Sequence, residues 1–151
     1  MSTPSAPMNV LGQPSRCTRP PGIVAGAVLR SARRSAGLST ALLAAAIDVD
    51  DTSITLWEAG SEPMASVSSP VLEELAVALR RMGAEPVLVA DLFVAAWCDL
   101  VLGAIAEGDD ASCLLADPLA RDNAFSELLA WAMTGQPPAR HRPYASAGQF
   151  L

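Results

Sequence analysis

Residue types that commonly carry out catalysis are few in this chain of 151 residues, and they stand in no familiar arrangement. His141 is the only histidine, and it lies near the C-terminus. No serine, cysteine or carboxylate occurs in a recognisable nucleophile motif, and there is no glycine-rich phosphate loop. Asp109 and Asp110 form an acidic pair without the spacing of a calcium loop. The sequence therefore predicts no enzyme, no catalytic residue and no cofactor.

The cysteines and the N-terminus indicate the compartment. Cys17, Cys98 and Cys113 are odd in number and include no close pair, so we expect neither a disulfide framework nor a zinc site. Buried or idle thiols in a reducing cytoplasm are the simpler interpretation. The N-terminus lacks a signal-peptide pattern, and we therefore expect a cytoplasmic protein.

The most informative stretch runs from Gly37 to Gly60 and reads as two short helices joined by a tight turn. Ser39 is placed to cap the first helix and Asp50 the second. Gly60 is placed to end the second helix in a left-handed turn. The two helices supply a small core from their facing sides, formed by Leu38, Leu43, Ala44, Ile47, Val49, Ile54 and Trp57.

This stretch resembles the Xre/Cro, or lambda-repressor-like, family of DNA-binding domains. The matching residues are Gly37, Leu38, Ser39, Leu43, Ala44, Val49, Ile54, Trp57, Glu58 and Gly60. The resemblance covers about residues 24–83 and implies an all-α, lambda-repressor-like helix-turn-helix domain, here with a C-terminal helical extension. It also implies a structural salt bridge between Arg33 and Glu58.

The resemblance implies which residues meet DNA, because the second helix of the motif presents its N-terminal residues to the major groove. Thr52 and Leu56 are placed to contact base edges or a thymine methyl group, and Asp51 can accept only from cytosine. Thr40 stands where the family usually has glutamine. Arg30 and Arg34 are expected to stay free for phosphates or for solvent. The full predicted set is Arg30, Arg34, Thr40, Asp51, Thr52, Ser53, Thr55 and Leu56.

Charge works against this function. The net charge is −6; residues 1–35 carry five arginines and no acid, whereas residues 36–63 carry five acids and no base. Neutralisation of phosphates supplies much of the affinity for DNA, so we expect weak binding by one copy and dependence on dimerisation. All ten basic residues are arginine, and with abundant alanine this is typical of a high-GC, actinobacterial-like genome.

The segment from Pro86 to Ala106 predicts a helix that is apolar nearly all round, with one stripe of Asp91, Ala95, Asp99, Gly103 and Glu107. A membrane span would place two aspartates in hydrocarbon at about 3 kcal/mol each, so no membrane is expected. A helix buried by its own chain and by a second copy would leave only that stripe exposed. The predicted dimer or partner interface is Leu88, Leu92, Phe93, Val94, Trp97, Leu100 and Val101.

Four regions are expected along the chain. Residues 1–22 are rich in proline and serine and predict a disordered arm. Residues 23–83 form the helix-turn-helix domain, residues 84–135 a helical oligomerisation or partner extension, and residues 136–151 a flexible tail. Leu42 and Leu56 are apolar where the family usually has polar residues; Leu42 either packs against the C-terminal helices or meets a partner.

Two classes of function remain open at this point. The first is a transcriptional regulator that binds a palindromic site in double-stranded DNA as a homodimer. The alternative is a degenerate helix-turn-helix module that binds another protein, as an adaptor, an assembly subunit or an antitoxin-like protein, with little or no DNA binding.

Overall fold

The computed structural model describes residues 21–62, 64, 67, 69–116 and 123–145. Within these ranges the chain forms seven α-helices and no strand, which confirms the all-α prediction. Six of the helices were expected, and the short α6 was not. The helices are α1 (Ile23–Ser35), α2 (Thr40–Ala46), α3 (Asp51–Ala59), α4 (Ser69–Arg81), α5 (Pro86–Ala106), α6 (Ser112–Ala116) and α7 (Asn123–Thr134).

Local residue types fix the ends of α2 and α3. Ser39 caps α2 as predicted, since its Oγ accepts from the backbone N–H of Leu42 at 3.1 Å. Asp50 occupies the N-cap position of α3, but its side chain makes no capping hydrogen bond. Gly60 ends α3 in the left-handed conformation with φ 78°. Asp48, in the turn between the helices, has φ 54°, a conformation that favours glycine.

A glycine sets how closely α1 crosses α3. A Cβ added at Gly26 would lie 2.5 Å from the carbonyl oxygen of Trp57 and 2.6 Å from that of Glu58. At the same end, the N–H of Gly22 donates to the carbonyl of Gly60 at 2.9 Å. The backbones of α1 and α3 therefore touch, and α3 has a fixed position on the rest of the domain.

Helix α5 lies at the centre of the molecule and packs against α1, α4, α6 and α7. Its Asp99 accepts two hydrogen bonds of 3.0 Å, from the backbone N–H groups of Val24 and Ala25 in the first turn of α1. An acidic side chain from α5 thus caps a helix of the N-terminal domain. The predicted boundary between residues 83 and 84 does not separate two packing units.

The first three residues of the predicted stripe of α5 are buried, so the prediction that the stripe would be exposed is wrong for them; Gly103 and Glu107 are exposed as predicted. Asp91, Ala95 and Asp99 are each at most 5% exposed. The physical reason is that both carboxylates find donors inside the protein: Asp99 at the start of α1, and Asp91 on Arg140 and His141. A buried carboxylate is tolerated when it is bonded in this way.

Four residues of the predicted dimer interface are corrected by the same packing. Leu88, Leu92, Val94 and Val101 are buried within their own chain and are not available to a second copy. Phe93 and Leu100 are exposed, and Trp97 is half-buried. The helix is turned so that its acids face inward, and different apolar residues face outward.

The predicted flexible tail is wrong for its described part. Residues 136–145 fold back over the helices; His141 is fully buried, and Tyr144 and Ala145 pack against the core. His141 Nε2 lies 2.8 Å from Asp91 Oδ2, and its ring lies 5.2 Å from that of Trp131. The rest of the predicted tail, residues 146–151, and residues 1–20 of the predicted arm lie outside the described residues.

Candidate nucleic-acid interface

Helix α3 presents a polar face to solvent over its first two turns. Asp51, Thr52 and Thr55 are exposed, Ser53 is half-buried, and Leu56 is 37% exposed. The opposite face holds Ile54 and Trp57 in the core. Thr40, the first residue of α2, is half-buried. The predicted base-reading residues therefore share one accessible face of one helix.

One hydroxyl on this face is already engaged. Thr55 Oγ1 donates to the carbonyl oxygen of Asp51 at 3.1 Å, one turn earlier in α3. Its hydrogen is therefore committed within the helix, and its oxygen can still accept. Thr52 is the residue of α3 best placed to donate to a base edge or to touch a thymine methyl group.

The salt bridge between Arg33 and Glu58 is present. Arg33 Nε and Nη2 donate to the two carboxylate oxygens of Glu58, the second at 3.0 Å, and Arg33 Nη1 donates to the carbonyl of Leu38 at 2.7 Å. Glu58 is 6% exposed, so this carboxylate is charge-paired in the interior. The pair ties α1 to α3 and to the turn that leads into α2.

Arg30 and Arg34 are not free, which corrects the prediction that they would be. Arg30 Nε lies 3.5 Å from Glu58 Oε2 as a second partner of that carboxylate. Arg34 Nη1 donates to the carbonyl oxygen of Tyr144 at 2.9 Å. Sequence reasoning missed the second contact because Tyr144 belongs to the segment that was expected to be a flexible tail.

Helices α1 to α4, which we call the head of the molecule, carry no basic residue between residues 35 and 79. Between Arg34 and Arg80 the chain carries seven acids and no arginine or lysine. Asp48, Asp50 and Asp51 are exposed around the start of α3, and Glu62 is held by the indole N–H of Trp57 at 3.1 Å. These exposed carboxylates make the start of α3 acidic, which opposes the approach of phosphates.

Apolar side chains also lie open on the head. Leu42 on α2 is 55% exposed, so it does not pack against the C-terminal helices, and that explanation of this residue is wrong. A groove lies between α2 and α4, with Ile47, Val77 and Met82 along it, and the charged residues Glu73, Glu74 and Arg81 also line it. No residue of α3 lines this groove, so it is a second surface, distinct from the reading face.

Comparison with known families decides the nature of this head. Residues 24–88 match the model of a family described as a helix-turn-helix domain. The segment is therefore a helix-turn-helix domain. No curated protein and no solved structure matched the chain. The match covers α1 to α4 and the start of α5, and the remaining helices form a C-terminal extension of the helix-turn-helix domain.

A helix-turn-helix domain indicates a DNA-binding regulator in general, and such domains are typically not enzymes. In the described part of the chain, helix α5 is long and apolar enough to cross a membrane. However, 56% of its most apolar 18-residue stretch is buried inside the protein. That burial fits the core helix of a soluble protein. Among the described residues no cluster of three or more histidine, cysteine or acidic side chains is placed to hold a metal ion.

Two buried carboxylates of α5, Asp99 and Asp91, hold α1 and residues 140–141 in place, and both have shifted pKa values. Sequence reasoning did not assign them this role. Burial raises the pKa of Asp99 to about 7, although the two N–H groups of α1 act in the opposite direction. Burial also acts to raise the pKa of Asp91, but the hydrogen bonds from His141 and Arg140 outweigh it and the pKa is lowered. The spacing of Asp91, Ala95 and Asp99 at four-residue intervals correctly indicated that they share one face of α5. The prediction that this face is exposed was wrong.

Proposed function

We propose that this protein is a cytoplasmic transcriptional regulator that binds double-stranded DNA through its helix-turn-helix domain, as a homodimer on a palindromic site. The observation that carries the proposal is the family match over residues 24–88 together with an accessible first turn of α3. Two copies related by a two-fold axis would place their α3 helices on two half-sites about one helical turn apart.

Each residue of the reading face has a role in this proposal. Thr52 contacts a base edge, Leu56 packs on a thymine methyl group, and Asp51 accepts from cytosine. Ser53 and Thr40 donate to the phosphate backbone of the DNA, and Thr55 does so once its hydroxyl turns away from the carbonyl oxygen of Asp51. Arg30 and Arg34 contribute positive charge at the edge of α1 while keeping the partners described above.

Dimerisation matters more here than in a basic repressor. A head with no arginine or lysine between residues 35 and 79 gains little from release of counterions. Two linked heads bind as one unit, because the second head meets its half-site at a high effective concentration. We therefore expect sequence-specific binding with a low background on unrelated DNA.

The test is selection of duplexes from a random library and from genomic fragments by the purified full chain at low salt. Enrichment of one sequence supports the proposal. Thr52→Glu, which adds an acid to the reading face, should abolish the enrichment. Val77→Glu adds the same charge at an exposed apolar position of α4, away from α3, and should leave the enrichment intact.

A second candidate function is recognition of another protein, and the acidic, partly apolar head favours it specifically. Exposed Leu42 and the groove between α2 and α4 offer apolar contacts, and two acids, Glu73 and Glu74, outnumber the single Arg81 along that groove. A partner of matching chemistry would carry basic and apolar side chains. If the library selection retains no duplex while a basic protein co-purifies from the native cell, this second function replaces the first.

A further inference from the structure

The C-terminal residues 136–151 carry two arginines, Arg140 and Arg142, and no acid. Their described part, residues 136–145, folds back over the helices, where Tyr144 and Ala145 pack against the core. We call residues 136–145 the return segment. Because it lies against the rest of the molecule, its path decides where its positive charge is placed.

The two arginines of the return segment differ in their surroundings. Arg140 is held by acids of its own chain: its Nε donates to Asp91 Oδ2 at 2.6 Å, and its Nη1 donates to Glu127. Arg142 is exposed, and none of the ion pairs among the described residues involves it. Arg140 therefore supports the fold, whereas the charge of Arg142 is available to a ligand.

The return segment brings Arg142 to the end of α1. Arg34, in the last turn of that helix, donates from Nη1 to the carbonyl oxygen of Tyr144 at 2.9 Å. Arg142 belongs to the same tight turn as Tyr144, whose N–H donates to the carbonyl of His141 at 2.9 Å. Cα atoms two positions apart lie within about 7 Å of each other. Arg142 therefore lies beside Arg34, although the two are far apart in the sequence.

The surface formed in this way has more positive than negative charge. We call its arginines, Arg30, Arg33, Arg34 and Arg142, the basic edge. Two carboxylates border it: Glu58 pairs with Arg30 and Arg33, and Glu85 accepts from the hydroxyl of Tyr144 at 2.8 Å. Four arginines against two acids leave the basic edge positive, whereas the start of α3 is acidic. The charge that favours phosphates thus lies at the end of α1 instead of on the reading face.

The basic edge has a fixed position relative to the helices that would meet DNA. Glu58, a residue of α3, holds Arg33, and Arg33 Nη1 also donates to the carbonyl of Leu38 at 2.7 Å, just before α2. The end of α1 therefore borders the start of α2, where Thr40 meets the DNA backbone in the proposed function. When the second helix of the motif enters the major groove, the first lies across the flanking backbone. Phosphates would then run along the border between α1 and α2.

We propose that Arg142 binds a phosphate of the DNA backbone beside Arg34, so that the C-terminal extension takes part in DNA binding. The proposal rests on the proposed function and adds to it a contact from outside the helix-turn-helix domain. Guanidinium groups form strong, charge-assisted hydrogen bonds with phosphates. Phosphate contacts position the protein without reading bases. Arg142 should therefore raise the affinity for different duplexes by a similar factor and leave the sequence preference unchanged.

The experiment is fluorescence anisotropy of the full chain with the duplex selected from the library and with a version of it that has one base pair changed in a half-site. Between about 50 and 200 mM salt, Arg142→Ala should lower the slope of log affinity against log salt by about one. At the lowest salt it should bind both duplexes about threefold more weakly or worse, with the ratio of the two affinities unchanged. Arg142→Lys keeps the charge and should retain most of the affinity and the slope.

The matched control is Leu115→Glu, which lowers the net charge by one, as Arg142→Ala does. Leu115 is 47% exposed on α6, which follows the C-terminal end of α5, whereas Tyr144 of the return segment bonds Glu85 at the N-terminal end. Leu115→Glu should bind both duplexes as the wild type does. The helical content of both variants, measured by circular dichroism, should be unchanged, because Arg142 and Leu115 are exposed.

An Arg142→Ala variant that binds duplex as tightly as the wild type, with the same salt slope, would overturn the proposal and leave the regulator intact. Equal weakening by Leu115→Glu would also overturn it, since only the net charge would then matter. A changed ratio between the two duplexes would assign Arg142 to base reading instead of a phosphate contact. A folded wild type that binds no duplex at the lowest salt would contradict the regulator itself, and Arg142 would then have no role in DNA binding.

Discussion

Glu58 accepts hydrogen bonds from Arg33 and has Arg30 within 3.5 Å, so a single buried carboxylate joins α1 to α3. Glu58→Ala should destabilise the protein by about 3 kcal/mol, because it leaves the partly buried Arg33 without its partner. Urea unfolding followed by circular dichroism measures the change. Glu73→Ala, at an exposed position of α4, is the control and should stay within about 0.5 kcal/mol of the wild type. Equal stability of the two variants would contradict a structural role for the pair.

Asp99 makes stability depend on pH in an unusual direction. Its pKa in the folded protein is about 7, above the value of about 3.9 for an unfolded aspartate, so folding takes up a proton between these values. Its contribution to stability should therefore fall as pH rises from about 4 to 7 and change no further above that. Asp91, with a lowered pKa, should act oppositely, with its contribution lost in acid.

The difference in unfolding free energy between the wild type and Asp99→Asn, measured by urea titration at a series of pH values, isolates the first effect. Relative to the variant, the wild type should lose stability across pH 4 to 7, a window set by the two pKa values. A flat difference curve would show that the carboxylate is ionised at the start of α1 throughout that window. The control is Asp51→Asn, at an exposed residue of α3.

The close contact between helices α1 and α3 depends on the absence of a side chain at Gly26. Gly26→Ala would place a Cβ against two backbone carbonyls that cannot move independently of α3, and we expect a loss of about 2 kcal/mol or more. Gly103→Ala, in α5, meets no atom within 4 Å and should be neutral or stabilising by up to about 1 kcal/mol. Thermal unfolding of both variants tests the contrast. Equal shifts would indicate that α3 is free to move away from α1.

The sequence predicted the helices better than their orientation. Caps, turn glycines and apolar spacing placed the observed α1 to α5 nearly to the residue, because these signals are local. The face of α5 that points inward is not a local property. It depends on donors from distant residues: the start of α1 for Asp99, and Arg140 and His141 for Asp91. Polarity alone therefore assigned the inner and outer faces wrongly.

At the scale of the whole molecule, residues 136–145 belong to the fold. Arg140 bridges Asp91 and Glu127, and the hydroxyl of Tyr144 donates to Glu85 at 2.8 Å. Deletion of residues 139–151 should destabilise the protein by about 3 kcal/mol or more, because Asp91 would lose both donors and the core would lose the packing of His141. Unfolding followed by tryptophan fluorescence should also report exposure of Trp131. Arg142→Ala, at an exposed residue of the same segment, should have little effect.

An unchanged stability after that deletion would mean that the segment rests on the surface without supporting the core. Proline and glycine near these residues made a tail the natural expectation from sequence. His141 takes a structural role only because Asp91 faces inward and is hydrogen-bonded to it, which the sequence did not show.

Part of the candidate site was predictable from residues close together in the sequence, and part depends on residues far away in it. The cap at Ser39, the pair of Arg33 with Glu58 and the exposed face of α3 all follow from a motif of consecutive residues. The partner of Arg34 and the openness of Leu42 depend on where the C-terminal extension packs. No sequence pattern of the head alone contains that information.

A helix-turn-helix domain with acidic residues at the start of α3 should still bind DNA, and the salt dependence of duplex binding is the test. Fluorescence anisotropy of the duplex selected from the library, titrated with the full chain from about 50 to 200 mM salt, gives the slope of log affinity against log salt. We predict specific binding whose affinity falls as salt rises, with a slope shallower than that of a basic repressor, and loss of binding in Thr52→Glu but not in Val77→Glu. Absence of binding to any duplex at the lowest salt, by a chain that is folded and dimeric, would contradict the claim.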